Sequence, residues 1–393
     1  MDQNVPVCQR IAGAAEALSA ATRFRDLFAA GAAGRDRHRT LPHDEVAALS
    51  TSGLWAITVP AAHGGIDVAH AVLAEVTALL AEGDPSIAQI PQNHFSTLET
   101  LRHIAGARQQ AELFAAVLAG ARFGNAEAER GPPATTLRRD GGGWRLDGRK
   151  AYSTGALFAD LITVTARDPD GQAMLAIVGR DAPGLSVVDD WSGMGQRTTA
   201  SGTTILDGVR VAADRVMSLQ PAFGRRSPVG AIAQLLHAAI DLGIARAALR
   251  ESGCFVRERS RPFADAGVTR ACDDPLLLER FGRLQVQVHA AEALLHRGAA
   301  ALDAARAEPG EDAYAAASIA VAEAKALTTE AALAAASGLF ELAGTSSSLS
   351  AHNLDRFWRD ARTHTLHDPV RWKYHAIGNF FVNGEKPPIR SYL

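Results

Sequence analysis

Apolar residues recur every three or four positions through the first third of the chain. "IAGAAEALSAATRFRDLFAAGA", "LPHDEVAALSTSGLW" and "DVAHAVLAEVTALLAEG" each carry this helical period. The run "EVTALLAEGDPSI" ends one helix at Gly83 and offers Asp84 and Pro85 as N-cap and first residue of the next. From residue 123 the pattern changes. "GGGWRLDGRKAYSTG", "ADLITVTARD", "AMLAIVGRD", "GLSVVDDW" and "SGTTILDGVRVAADRV" are short β-rich runs between Gly, Asp and Pro turns, the spacing of an antiparallel barrel or sandwich. From 228 the helical period returns in three runs of about 30 residues, parted by "RPFADAGVTRACDDP" and "AEPGED". Long runs rich in small residues predict a bundle. The pattern therefore predicts an α+β chain: an N-terminal helical domain (1–122), a central β domain (123–222) and a C-terminal helical bundle (223–393).

Composition narrows the function class. The chain has 393 residues, 47% hydrophobic and 21% charged, with a formal charge of -3. That is a globular balance, without the basic excess that nucleic-acid or anionic-membrane binding requires. Three cysteines, Cys8, Cys254 and Cys272, form no C-x-x-C pair and are odd in number. A disulfide framework or a metal site is not expected; reduced thiols in the cytoplasm are. The start "MDQNVPVCQR" lacks the basic and apolar regions of a signal peptide. No uninterrupted apolar run reaches the ~18 residues that would span a bilayer.

The order of these segments, with their motifs, resembles the acyl-CoA dehydrogenase fold family, which implies a central antiparallel β-barrel or sandwich and a C-terminal four-helix bundle. "FGNAEAERG" (123–131) stands where the family has its Thr-Glu-Pro-x-x-Gly loop. "GRKAYSTGA" (148–156) is similar to its Gly-x-Lys-x-Trp-Ile-Thr-Asn strand, and "LFELAGTSSSLSAHNLDRFWRDART" (339–363) to its Gly-rich loop and Arg-x-x-Arg-Asp-x-Arg helix. Three further stretches, "DPSIAQIPQNHF", "DDWSGMGQRTTASGT" and "RFWRDARTHTLHDPV", resemble a branch of flavin-dependent monooxygenases. That branch includes dibenzothiophene monooxygenase and the SfnB-type sulfur-acquisition oxidoreductases.

A flavin needs a flat apolar wall, donors for its carbonyl edge and a partner for its phosphate. The resemblance implies that Tyr152 and Thr154 lie against the isoalloxazine, with the Thr154 hydroxyl near N5. Asn125, Ala126 and Glu127 would meet the pyrimidine edge, and Trp191 would wall the ring. Tyr152 and Trp191 read equally well as sheet core. For the phosphate, "AGTSSS" offers Gly344, Thr345 and Ser346 before a helix, a loop type that binds anions through backbone N–H groups. Arg261 falls where the family's arginine reaches the flavin of a neighbouring subunit. The bland alternatives are a solvated turn, with Asn353 capping the next helix, and a surface helix end. "GMGQRTTASG" lacks the G-x-G-x-x-G context of a dinucleotide site. Reduced flavin, FMNH₂ by the branch rather than FAD, would come from a separate NAD(P)H:flavin reductase.

A dehydrogenase of this family needs a carboxylate to abstract the α-proton of its thioester. After the Arg-rich helix this chain reads "HTLHDP", with His367 in place of the family's Glu. On the first bundle helix, "GAIAQLLHAAIDLG" offers only Asp241. Imidazoles suit a different task, proton exchange near neutrality beside a flavin C4a-(hydro)peroxide. His364 and His367 would share a helix-to-helix corner, with Asp368-Pro369 capping the following helix. His94 would approach from the N-terminal domain. Any of these three is equally read as one of 13 histidines without chemistry. Arg356, Arg359 and Arg362 recur at i, i+3, i+6, and Asp355 and Asp360 are their expected partners in structural ion pairs. The resulting expectation is a two-component monooxygenase, assembled as a homotetramer, that oxygenates a small organosulfur compound. The alternative is an FAD-dependent acyl-CoA dehydrogenase with a displaced base, or a scaffold without catalysis.

Overall fold

The structure is a computed structural model that describes residues 8–393; the first seven residues of the amino-terminal reading lie outside it. Five helices come first: α1 (Ala14–His38), α2 (His43–Thr51), α3 (His70–Gly83), α4 (Pro85–Ile104) and α5 (Ala107–Leu118). The α3–α4 break falls where the sequence places it. Asp84 caps α4 by accepting from the Ser86 and Ile87 N–H groups, and Pro85 opens the helix. The same carboxylate accepts from Arg35 Nε at 3.0 Å, which ties α1 to the cap.

Eight strands follow: β1 (Phe123–Ala126), β2 (Thr136–Asp140), β3 (Gly143–Lys150), β4 (Leu161–Arg167), β5 (Ala173–Gly179), β6 (Leu185–Val188), β7 (Thr203–Ala212) and β8 (Val216–Ser218). They form one sheet in the order β6-β7-β3-β2-β4-β5-β8, with β1 paired to β4. The sheet is mixed rather than purely antiparallel, because β1 enters from α5 and pairs in parallel with β4, Phe123 opposite Leu161. Alternation along β3, β4 and β7 buries Trp144, Leu146, Ile162, Val164, Leu206 and Val209 in a core of the sheet's own.

The short α6 (Gln220–Phe223) leads to three long helices, α7 (Val229–Glu258), α8 (Pro275–Ala307) and α9 (Glu311–Ala343), and then to α10 (Asp355–His364) and α11 (Arg371–Asn383). α7 packs against α9 and α8, and also against α3 and α4, so the helical regions share one continuous core. Gly243 permits the α3–α7 approach; a Cβ there would lie 2.4 Å from the Ala78 carbonyl oxygen. An 18-residue window of α7 reaches a mean hydropathy of 1.4, enough by length and composition to cross a membrane. In the fold 89% of that window is buried, since helices cover it on all sides. The three cysteines are free thiols.

Candidate active site

The site is assembled where β1, the turn after β3, the loop before β7 and the end of α10 converge. Gly124 lets β1 lie directly on the turn at 153–156, because a Cβ there would sit 2.6 Å from Ala156 Cα. The Asn125 N–H donates to the Thr154 carbonyl at 3.2 Å, and Asn125 Oδ1 accepts from the Glu127 N–H at 2.9 Å. Ala126 is buried. Glu127 stands at the surface and turns its carboxylate back to the Thr163 hydroxyl, at 3.1 Å. Lys150, buried at the end of β3, donates to the Glu127 carbonyl, Thr165 Oγ1 and Glu129 Oε1 at 3.2, 3.1 and 2.8 Å. Burial pulls its pKa down while Glu129 opposes the shift. One buried ammonium thus ties down the chain from Glu127 to Glu129.

Tyr152 is not sheet core. Its backbone is left-handed (φ 53°) and the residue is 46% exposed. The Arg130 guanidinium lies 4.6 Å from its ring centroid, and Trp191 meets it edge-on at 6.3 Å. Trp191 is held by its Nε1–H, which donates to the Gln196 carbonyl at 2.8 Å. Thr154 is buried, with Oγ1 2.6 Å from Ser201 Oγ. Ser201 Oγ is 2.7 Å from Thr199 Oγ1, which donates to the Gln196 carbonyl. That last bond sets the direction of the chain. Ser201 donates to Thr199, so Thr154 donates to Ser201 and keeps its lone pairs for the open side.

The loop of residues 191–201 ties this wall to α10. The Gln196 N–H donates to Asp360 Oδ1 at 2.5 Å, the Gly195 N–H to Thr363 Oγ1 at 3.0 Å, and Gln196 Nε2 to the Pro85 carbonyl at 3.2 Å. Burial raises the Asp360 pKa to about 7; Asp84 and Asp36 add to the rise and the Gln196 N–H works against it. The arginine ladder serves the same joint. Arg359 pairs with Asp36 of α1 at 2.8 and 2.6 Å and with Asp355 at 2.7 Å. Asp360 does not enter that ladder, since its oxygen is taken by the loop.

The three histidines meet different fates. His94 is fully buried and engaged at both nitrogens: Nε2–H donates to the Trp55 carbonyl at 2.8 Å and Nδ1 accepts from the Phe123 N–H at 3.1 Å. Burial lowers its pKa to about 4, so the ring is neutral. It fastens α4 to β1 and leaves no nitrogen for a ligand. His364 is buried, with Nδ1 2.5 Å from Asp241 Oδ1 and Nε2 3.2 Å from His237 Nδ1. His367 is about half exposed and lies against His237, centroids 4.1 Å apart and ring planes tilted by 39°. The helix after the corner starts at Arg371, past Asp368-Pro369; Asp368 instead accepts from Gln234 Nε2 at 2.8 Å. A cap was expected there, but the α7 amide captures the carboxylate first. Asn353 likewise fails to cap α10 and donates to Asp36 at 2.8 Å.

Arg261, Gly344, Thr345 and Ser346 form a separate, exposed group. Their segments are joined by Ser260 Oγ, which donates to the Ala343 carbonyl at 2.9 Å. Two groups of residues were not anticipated. Gln89 and Gln92, in the first turns of α4, are buried, and neither Oε1 has a hydrogen-bond partner among the described residues. Ile90 between them packs against Gly155, and Ser153 Oγ is similarly orphaned. These idle buried acceptors and the outward lone pairs of Thr154 fit a molecule carrying N–H and hydroxyl donors, as a flavin does. The signal for them was polar residues in an otherwise apolar run, "IAQIPQN". The second group, His237 and Lys325, was marked by ionisable residues set among apolar and small ones in "LLHAAID" and "EAKALTT".

Sequence models of the acyl-CoA dehydrogenase N-terminal, middle and C-terminal domains match residues 16–121, 125–209 and 235–372. The chain belongs to the acyl-CoA dehydrogenase family. Its relatives place it in that family's branch of flavin-dependent monooxygenases. The dibenzothiophene monooxygenase of Mycolicibacterium goodii is 34% identical over 380 residues, covering 90% of each chain. A probable FMNH2-dependent monooxygenase, SfnC, of Pseudomonas putida is 29% identical over 96% of this chain and 97% of its own. Among solved structures, FMN-bound TdsC from Paenibacillus sp. A11-2 superposes with a TM-score of 0.91 at 31% identity, over 96% of this chain and all of that one (100%).

Proposed function

We propose that this protein oxygenates a small organosulfur compound with O₂, using reduced FMN delivered by a separate NAD(P)H:flavin reductase. FMN rather than FAD follows from the FMN-bound structural neighbour and from the FMNH2-dependent relative. The observation that carries the reading is the identity of the groups at the α10 corner. An imidazole, His367, stands at its open edge, and the nearest carboxylate of α7, Asp241, is wholly buried between Lys325 and His364. Lys325, and His364 after it, hold the Asp241 pKa down at about 2 against its burial. So locked, it cannot serve as the α-proton base of a thioester dehydrogenase.

Reduced FMN, when bound, supplies the electrons that put one oxygen atom into substrate and the other into water. The chain's own residues do the rest. Thr154 presents a hydroxyl acceptor, the polarity that an N5–H requires. Asn125 and the Lys150-fixed loop hold the pyrimidine edge. Tyr152 and Trp191 form the wall that keeps water off the ring. His367 exchanges the proton at the reacting oxygen, and His364 holds that corner from behind. Arg261 and the 344–346 loop take the phosphate, reaching a neighbouring subunit in a homotetramer. His94 belongs to the frame, not the reaction. The three free thiols accord with a cytoplasmic setting.

The test is rapid mixing of the FMNH₂-loaded protein with O₂. An optical transient distinct from reduced and oxidised flavin, followed by an oxygenated product, is expected. His367→Ala should divert most turnover to hydrogen peroxide. Direct reoxidation without a transient, or anaerobic bleaching of bound oxidised flavin by an acyl-CoA, would replace this reading by another.

A further inference from the structure

We propose that Gln234 is a positioning residue for the reaction: its amide, fixed by Lys373, holds the Asp368 carboxylate beside His367 and so sets the direction of that imidazole. The proposal deepens the monooxygenase reading and rests on it for the role of His367.

Gln234 lies in the second turn of α7 and Lys373 in the first turn of α11. Both side chains are buried, where a polar group without partners is costly. Each finds its partners. Lys373 Nζ donates to Gln234 Oε1 at 2.8 Å and to the Tyr392 carbonyl at 2.7 Å. Gln234 Nε2 donates to Asp368 Oδ2 at 2.8 Å and to the Ser391 carbonyl at 3.3 Å. Both carbonyls belong to the last residues of the chain, a stretch that lies directly on α7. Gly230 permits that approach, since a Cβ there would sit 2.4 Å from the Arg390 carbonyl oxygen.

These contacts leave the amide one orientation. An ammonium can only donate, so the amide oxygen must face Lys373. The amide nitrogen then faces Asp368. Turning the amide over would set its N–H groups against the ammonium and its oxygen against a carboxylate and a carbonyl. Burial pulls the Lys373 pKa down to about 8, so the group is still charged at neutral pH.

Asp368 and His367 lie between α10 and α11, where no helical backbone directs their side chains. Burial pushes the Asp368 pKa up, but contacts with His367, Lys373 and Gln234 outweigh it and the carboxylate stays ionised. Its Oδ2 is 3.7 Å from His367 Nδ1, an ion-pair rather than a hydrogen-bond distance. The carboxylate attracts an Nδ1–H edge in the neutral ring and in the charged one. It thus draws that edge inward, while His237 lies against the ring. The remainder of the imidazole is left to the open edge of the site. Gln234 acts on it through Asp368.

The test is Gln234→Met, which keeps the length of the side chain and removes its polar end. On rapid mixing of the FMNH₂-loaded protein with O₂, the optical transient should decay about fivefold faster, with FMN affinity unchanged. In a His367→Ala background the same substitution should leave the decay as it is. An equal effect with and without His367 marks a general loosening and overturns the proposal. The double variant Gln234→Met, Lys373→Met strands no ammonium and should behave alike, which covers a single variant that fails to fold. Solid-state NMR of the flavin-free chain, labelled with ¹⁵N-histidine, reads the corner without turnover. The ring signals of His367, identified by their loss in His367→Ala, should move or broaden in Gln234→Met while those of His94 hold still. Unmoved His367 signals overturn the proposal. If they move but the parent chain gives neither transient nor oxygenated product with FMNH₂ and O₂, the positioning stands and the monooxygenase reading falls.

Discussion

His94 shows how a residue legible as chemistry can prove to be a fastener. The sequence places an imidazole in the right segment, but its partners, the Trp55 carbonyl and the Phe123 N–H, come from 39 and 29 residues away. No local pattern encodes them. The consequence is a pH-dependent stability. Unfolded, His94 takes a proton near pH 6.5; folded, only near pH 4. Its contribution is complete above pH 6.5 and is lost as pH falls towards 4, in total about 3 kcal/mol. Asp360 acts in the opposite sense. Its folded pKa of about 7 lies above the ordinary 3.8, so its contribution is complete below 3.8 and fades as pH rises through 7. Urea midpoints between pH 4 and 8 should therefore show a flattened acid limb in His94→Gln and a flattened neutral limb in Asp360→Asn. Lys150 makes a separate test. Lys150→Met leaves Glu129 and the Glu127 carbonyl without their shared donor, and should weaken FMN binding tenfold or so by calorimetry, about 1.4 kcal/mol.

Among the elements, helices with local signals were readable and joints between elements were not. Asp84-Pro85 forms the expected cap because the carboxylate has its own helix N–H groups within reach. Asp368-Pro369 carries the same dipeptide, yet Gln234 of α7 competes for the carboxylate. Long-range partners decide between identical local motifs. The 191–201 loop is the plainest case: its contacts with α10 and α4 span more than a hundred residues of sequence. Gly195 makes that contact possible, since a Cβ would lie 2.0 Å from the Arg359 carbonyl oxygen. Gly195→Ala should push α10 off the loop and cost about 1–3 kcal/mol in chemical denaturation. It should also release Trp191 from its anchor at Gln196, visible as a red-shifted tryptophan emission.

At the scale of the molecule, the helix–sheet–helix order was legible because the hydrophobic period itself changes at residue 123 and again near 228. The parallel β1–β4 pairing was not, since two short strands separated by β2 and β3 carry no mark of each other. Nor could the sequence show that α7 lies at the centre, touching α3, α4, α8 and α9. That centrality makes its buried ion pair costly to split. Lys325→Met alone strands Asp241 in the core and should destabilise by about 3–5 kcal/mol, whereas the double variant with Asp241→Asn should recover much of the loss in melting experiments. The apolar breadth of α7 also matters before folding is complete. Its last residue, Glu258, is synthesised before α8 and α9 exist to cover it. A nascent chain at that length can bury α7 against α3 and α4 alone, and the faces meant for α8 and α9 stay wet until those helices emerge.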